Sequence, residues 1–155
     1  MAGYDRLTPE GKKFYAELEK LKKNEVFIGY QAGHATHTDE EGKEVDMAQI
    51  AMFNELGTST SPPRPFLRMT VDENQPKINA MCEQQAKNIA KGGTAEQSLK
   101  ELGAFGVSLV QEKIGNGTFT PNKPSTVKAK GSDKPLIDTG QMRQSVHYVI
   151  KKGGT

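Results

Sequence analysis

The sequence predicts an α+β fold: a small antiparallel or mixed sheet packed against several helices, with a long extended loop near 115–135. Three observations carry that prediction. A β-rich run, Glu25-Val26-Phe27-Ile28-Gly29-Tyr30, stands near one end of the chain. Val146, Tyr148 and Ile150 alternate with Ser145, His147 and Val149 near the other. Between them, apolar residues recur at helical spacing through most of the sequence. At 155 residues the chain has the length of a single domain, with flexible loops at about 31–44 and 115–135 and a short tail at 152–155.

Thr8-Pro9-Glu10 opens the first helix: Thr caps, Pro is tolerated where no amide partner is needed, and the acid faces the positive end of the dipole. Phe14, Leu18 and Leu21 extend it over about 9–23, and the strand at 25–30 follows. Residues 31–44 hold Gly33, Gly42, two histidines and the acids Asp39, Glu40 and Glu41, with little to bury, so they form an exposed loop or a hairpin tip. Further strands have room in 31–45 and 118–130. Asp46 with Gln49 makes a capping-box pattern ahead of Met47, Ile50, Ala51 and Phe53, and Gly57 supplies the stop, which predicts a helix over 47–56. Pro62, Pro63 and Pro65 make the stretch from Thr58 to Pro65 a rigid extended connector.

A helical pattern resumes at Phe66 and restarts at Pro76, with Asn74 or Gln75 near the cap. Ile78, Met81, Cys82, Gln85 and Ile89 share one face, which puts Cys82 on a buried surface, and Gly92-Gly93 ends the helix. Thr94 and Gln97 repeat the capping pattern and open a helix to about Ile114, with Leu99, Leu102, Leu109 and Val110 apolar. Gly103 and Gly106 weaken that helix, and the expected reason is close approach by another backbone. Residues 115–135 show no sustained periodicity, and a loop of that length in a compact domain is functional or disordered. Leu136-Ile137-Asp138-Thr139-Gly140 leads into a helical turn around 141–144, with Asp138 as its cap, and the last strand ends in a Lys151–Thr155 tail.

Composition narrows the function. Hydrophobic residues make up 34% and aromatics 6%, with no Trp, so the core is thin and the chain completes its burial against partners. A net charge of +2 is too small for the long-range field that draws in nucleic acid or an acidic membrane. One cysteine excludes an internal disulfide and a cysteine-rich zinc module. The start of the chain lacks a signal-peptide pattern, and no apolar run approaches the roughly 20 residues of a membrane span, so a soluble protein with no membrane partner is expected.

Candidate chemistry is sparse. His34 and His37 beside Asp39, Glu40 and Glu41 match no metal-ligand spacing, so no metal is assigned. Cys82 has no histidine near it in sequence. Asp138, Ser145 and His147 are residue types of a hydrolytic triad, but no nucleophile elbow accompanies them, and the single Asp-Thr-Gly lacks the second carboxylate of an aspartic dyad. Phosphate-binding glycine signatures are missing. No catalytic residue and no cofactor is predicted. Lys123, Lys128, Lys130, Lys134, Arg143, Lys151 and Lys152 gather toward the C-terminal end, yet Phe119 is the loop's one aromatic, which favours solvated lysines over a nucleic-acid surface.

Three segments carry a resemblance. They are Ala48-Gln49-Ile50-Ala51-Met52-Phe53-Asn54-Glu55-Leu56-Gly57-Thr58, Pro62-Pro63-Arg64-Pro65-Phe66-Leu67-Arg68, and the run from Lys134 to Val146 containing Leu136-Ile137-Asp138-Thr139-Gly140. In that order, with Pro124-Ser125-Thr126-Val127-Lys128 between the last two, the chain over about 25–150 resembles the tail-completion and head–tail joining proteins of tailed bacteriophages, a group also described as minor tail or virion morphogenesis proteins. The loop at 31–44 matches nothing in that pattern. The resemblance implies a non-enzymatic structural protein of the virion neck or tail end, assembled in the host cytoplasm. It would form a ring with copies of itself, a hexamer being one candidate size, and contact the tail tube or terminator and the head–tail connector. DNA would enter only as passage through a lumen. A tail terminator that stops tube polymerisation is the alternative within the class, and a small nucleic-acid-binding protein using the C-terminal lysines is the alternative outside it.

In a ring, one subunit presents a patch and its neighbour a complementary one. The candidate interface residues are Arg64, Pro65, Phe66 and Arg68 of the proline segment, Lys128 of the long loop, and Asp138, Thr139 and Arg143 where that loop re-enters the fold. Proline reduces the ordering entropy of such a contact, arginine pairs with a partner carboxylate, and Phe66 either anchors the neighbour or staples the next helix into its own core.

Overall fold

A computed structural model of the chain describes residues 6–38, 41–116 and 140–153. Lys128, Asp138, Thr139 and most of the long loop therefore lie outside the described residues. In chain order the elements are α1 (Pro9–Lys23), β1 (Asn24–Gly29), β2 (Thr36–Thr38), β3 (Glu44–Asp46), α2 (Met47–Leu56), α3 (Phe66–Glu73), α4 (Gln75–Ala90), α5 (Ala95–Asn116), α6 (Gly140–Ser145) and β4 (His147–Lys152). Two small antiparallel sheets accompany the helices, β1 with β4 and β2 with β3, which is the α+β architecture the sequence predicts.

Local side-chain caps set three of the helix starts. Thr8 Oγ1 accepts the Gly11 amide at 3.0 Å ahead of α1, Asp46 Oδ1 accepts the Ala48 amide at 3.0 Å ahead of α2, and Thr94 Oγ1 accepts the Gln97 amide at 3.2 Å ahead of α5. Asn74 stands at the N-cap of α4, as expected, but its side chain caps nothing there and donates backward to the Thr70 carbonyl at 2.7 Å.

β1 and β4 pair from Asn24↔Lys152 to Gly29↔His147. Their inner face lies on α5, and this corrects the reading of its two glycines. A Cβ on Gly103 would overlap the Tyr148 ring, and one on Gly106 would overlap the Ile28 side chain. The glycines admit side chains from the sheet, not a second backbone. Ile28 and Tyr148 are themselves cross-strand partners, so the helix is notched for one pair of the ladder. Lys151 and Lys152 belong to β4, opposite Glu25 and Asn24, and are not part of a tail. Beyond them the Gly153 amide donates to the Lys23 carbonyl at 2.7 Å.

The residues expected to be an exposed loop or hairpin tip do form a hairpin, with Thr36↔Asp46 and Thr38↔Glu44 as its end pairs. The core gathers Met47 and Ala51 of α2, Phe66 of α3, Val110 and Ile114 of α5, Met142 of α6 and Val146. Cys82 is exposed, contrary to the face that spacing assigns it. On α4 the buried seam is narrow, Gln85 and Ile89. At Cys82 the helices stand apart around two apolar cavities of about 260 and 340 Å³.

Glu17 is buried on the otherwise apolar face of α1. It accepts the Ala95 amide at 2.8 Å, across the fold at the start of α5, and the Lys20 ammonium at 3.1 Å. The amide, and then the ammonium, hold its carboxyl below the usual carboxylate range.

Candidate functional site

The first two segments of the resemblance build one corner, and its parts interlock. Gly57 ends α2 at φ +77°, and a Cβ there would lie 2.7 Å from the Pro63 nitrogen, so both the backbone angle and the space require glycine. Asn54 ties the connector back to α2: its carbonyl accepts the Arg64 amide at 2.6 Å while its side-chain amide donates to the Ile50 carbonyl at 2.9 Å. Glu55 completes the corner. Pro65, at the start of α3, offers no capping side chain, and the two oxygens of Glu55 accept the Leu67 and Arg68 amides instead, each at 3.0 Å.

The described part of the third segment, from Gly140 to Val146, packs beneath that corner. Met142 is fully buried on α6 beside Phe66, which is 0% exposed. The Phe66 ring meets Tyr30 edge to face with centroids 6.1 Å apart, and the Tyr30 hydroxyl donates to the Met142 carbonyl at 2.6 Å. Burial pushes the Tyr30 phenol above its ordinary value, so it stays a donor. Of the two roles open to Phe66, the structure gives the internal one. It is a core residue and presents no surface to a neighbour.

The other predicted interface residues scatter around this unit. Pro65 and Arg64 are half-buried in the connector, and Arg68 is exposed, 3.8 Å from Asp72 one turn on. Arg143 is exposed on α6 with its guanidinium against Gly115 of α5, and its carbonyl accepts from Gln111 at 3.2 Å. Lys128, Asp138 and Thr139 lie outside the described residues.

A surface that the sequence reading missed stands next to them. Met52, Phe53 and Leu56 on the outer side of α2 are 49%, 42% and 71% exposed. The one charged residue of this helix, Glu55, is spent on the α3 amides, so the outer face carries no charge. The signal was present in the sequence: Met47, Ile50, Ala51, Met52, Phe53 and Leu56 make α2 apolar on all sides, the pattern of a helix covered on both faces.

The histidines sit apart from that patch. The His34 and His147 rings stack with centroids 4.0 Å apart and planes 25° from parallel. His37 Nδ1 bonds Gln141 Oε1 at 2.6 Å. His147 Nδ1 faces the carbonyl of Ser145 at 3.0 Å, not its hydroxyl, so these two residues lack the nucleophile–base geometry of a triad. Among the described residues no three His, Cys, Asp or Glu side chains come together to hold a metal, and no helix is long and apolar enough to cross a membrane. Lys151 lies 6.0 Å from the centroid of the exposed Phe27 ring, a cation over an aromatic face on the outer side of the sheet.

Compared with known protein families, curated proteins and solved structures, the chain matches none.

Proposed function

We propose that this chain is a structural protein of a tailed-phage virion. It sits at the neck or the head-proximal end of the tail, completes the tail and helps join it to the head, working as a ring of identical subunits by shape and interlock without catalysis. Its partners in this reading are further copies of itself, the tail tube or terminator, and the head–tail connector. One observation carries the proposal: the first two segments of the resemblance, neighbours in sequence, and the described end of the third, more than seventy residues further on, meet in a single packed unit through Ala51, Phe66, Met142 and Val146. The uncharged outer face of α2 supports the same reading, since a thin-cored subunit with exposed Met52, Phe53 and Leu56 gains burial on assembly.

The test is a stop codon in this gene in its parent phage, with a complemented control, and negative-stain electron microscopy of the lysate. Filled heads beside separate tails of normal length are the expected result. Overlong tails would move the protein to termination, and intact infectious particles would overturn the proposal.

A further inference from the structure

All three histidines of the chain, His34, His37 and His147, stand where the β2–β3 hairpin meets the start of β4. The assembly reading gives them no role, and this inference is independent of it. His34 belongs to the loop that leads from β1 into the hairpin, whereas His147 is the first residue of β4. Their stacked rings, 4.0 Å apart, are therefore a contact between the hairpin loop and the main sheet. His147 Nδ1 reaches the Ser145 carbonyl, which only a protonated nitrogen can do, so its proton sits on Nδ1 and Nε2 is open to a second. His37 donates from Nδ1 to the Gln141 side-chain oxygen, a bond that the neutral and cationic forms both make.

We propose that the His34–His147 stack is a proton-operated latch: it holds the His34 ring on β4 while at most one ring is charged, and releases it when both are. Stacked neutral rings, or one neutral and one cationic ring, attract, but two cations face to face at this distance repel. Imidazole is the side chain that ordinarily gains its charge in the mildly acidic range.

The charged and titratable groups around the pair set the sign. On β3, Asp46 opposes the repulsion, but its two oxygens already accept the Ala48 and Gly33 amides. Glu41, Lys43 and Glu44 lie exposed on the hairpin arm. On β2, His37 is held by Gln141 of α6. On α6, Arg143 points to Gly115. On β4, Lys151 shares the outer sheet face with His147 and adds positive charge, with Lys152 beyond it opposite Asn24 and Glu25 opposite Lys151. Tyr30 is kept neutral by burial and by its bond to the Met142 carbonyl.

Release would be local. The Gly33 amide stays on Asp46 at 2.8 Å, the His34 amide on the Gln31 carbonyl at 3.1 Å and the Met47 amide on the Ala35 carbonyl at 2.9 Å, so the His34 ring leaves the stack while the turn that carries it stays in place.

Nuclear magnetic resonance of the full chain between pH 7.5 and pH 5 tests the latch. Cross-relaxation between the His34 and His147 ring protons is expected at pH 7.5, lost by pH 5 and restored on back-titration, while cross-relaxation between the paired strands β1 and β4 stays in place. In His34→Phe, which stacks but takes no proton, the ring–ring signal should survive at pH 5. In His37→Gln the acid release should persist. A ring–ring signal that persists at pH 5 in the unaltered chain would overturn the proposal. So would its loss in His34→Phe, or its loss only together with the cross-relaxation between β1 and β4.

Discussion

The Glu55 carboxylate, on the last turn of α2, accepts the Leu67 and Arg68 amides that open α3, each at 3.0 Å. One side chain thereby fixes the angle between two helices separated by a proline-rich connector. Glu55→Ala leaves those amides without acceptor or countercharge and should lower stability by about 1–2 kcal/mol in urea denaturation. Glu55→Gln keeps an acceptor and should recover part of that loss. Equal stability of both variants and the parent would mean that α3 starts without help.

The glycines of α5 make a sharper prediction because propensity and packing oppose each other. Alanine is better than glycine in a helix by about 1 kcal/mol, yet Gly103→Ala and Gly106→Ala should each destabilise, by about 1–3 kcal/mol, since the new methyl meets Tyr148 or Ile28. Gly115→Ala is the internal control. Its Cβ would rest 3.5 Å from the Arg143 guanidinium in ordinary contact, so it should be neutral or stabilising by up to about 1 kcal/mol. Thermal denaturation of the three variants side by side checks the order.

Glu17 gives the fold an acid-sensitive joint. Its carboxyl is held below the ordinary carboxylate range by the Ala95 amide first and Lys20 second, so the folded state favours the charged form. The stabilisation is in full force above the ordinary carboxylate value and is lost as pH falls through the lowered one. Chemical denaturation from pH 7 to pH 3 should show stability falling, with a shallower fall in Glu17→Gln.

Core and surface should separate cleanly around α2 and α3. Phe66→Ala empties a fully buried site and should cost about 3–5 kcal/mol. Leu56→Lys, at a residue 71% exposed, should change subunit stability by no more than about 0.5 kcal/mol. On the proposed virion reading it should nevertheless reduce the yield of joined particles. Normal particle yield from a Leu56→Lys mutant would remove the α2 face from the assembly surface.

Much of the local structure was legible because its causes are local. Asp46 and Gly57 bound α2 by capping and by a positive φ, and the sequence states both. What faces each element was less legible. Spacing put Cys82 with Gln85 and Ile89, but whether that flank of α4 is buried depends on how closely α1, α3 and α5 approach it, and there they leave cavities. Gly103 and Gly106 announced a close approach without saying from what, because their neighbours lie on β1 and β4. The burial of Glu17 has no local signal, because its partner amide at Ala95 lies 78 residues further along the chain. At the candidate interface, the Pro62–Arg68 segment was recognisable as a unit, but its division into a core phenylalanine and half-buried or exposed arginines follows from the Met142 and Tyr30 contacts, not from composition.

The pairing of β1 with β4 also has a consequence in time. The two strands are more than a hundred residues apart along the chain, so on a ribosome β1 emerges early and waits through the synthesis of nearly every helix before its partner exists. Until residues 147–152 arrive, Tyr148 cannot occupy the notch at Gly103 and Met142 has only just reached the core. Contacts of such long sequence separation slow folding, and here they make it conditional. A nascent or truncated chain lacks the β4 side of its sheet, so the fold is completed late, by the strand that closes the sheet begun at β1.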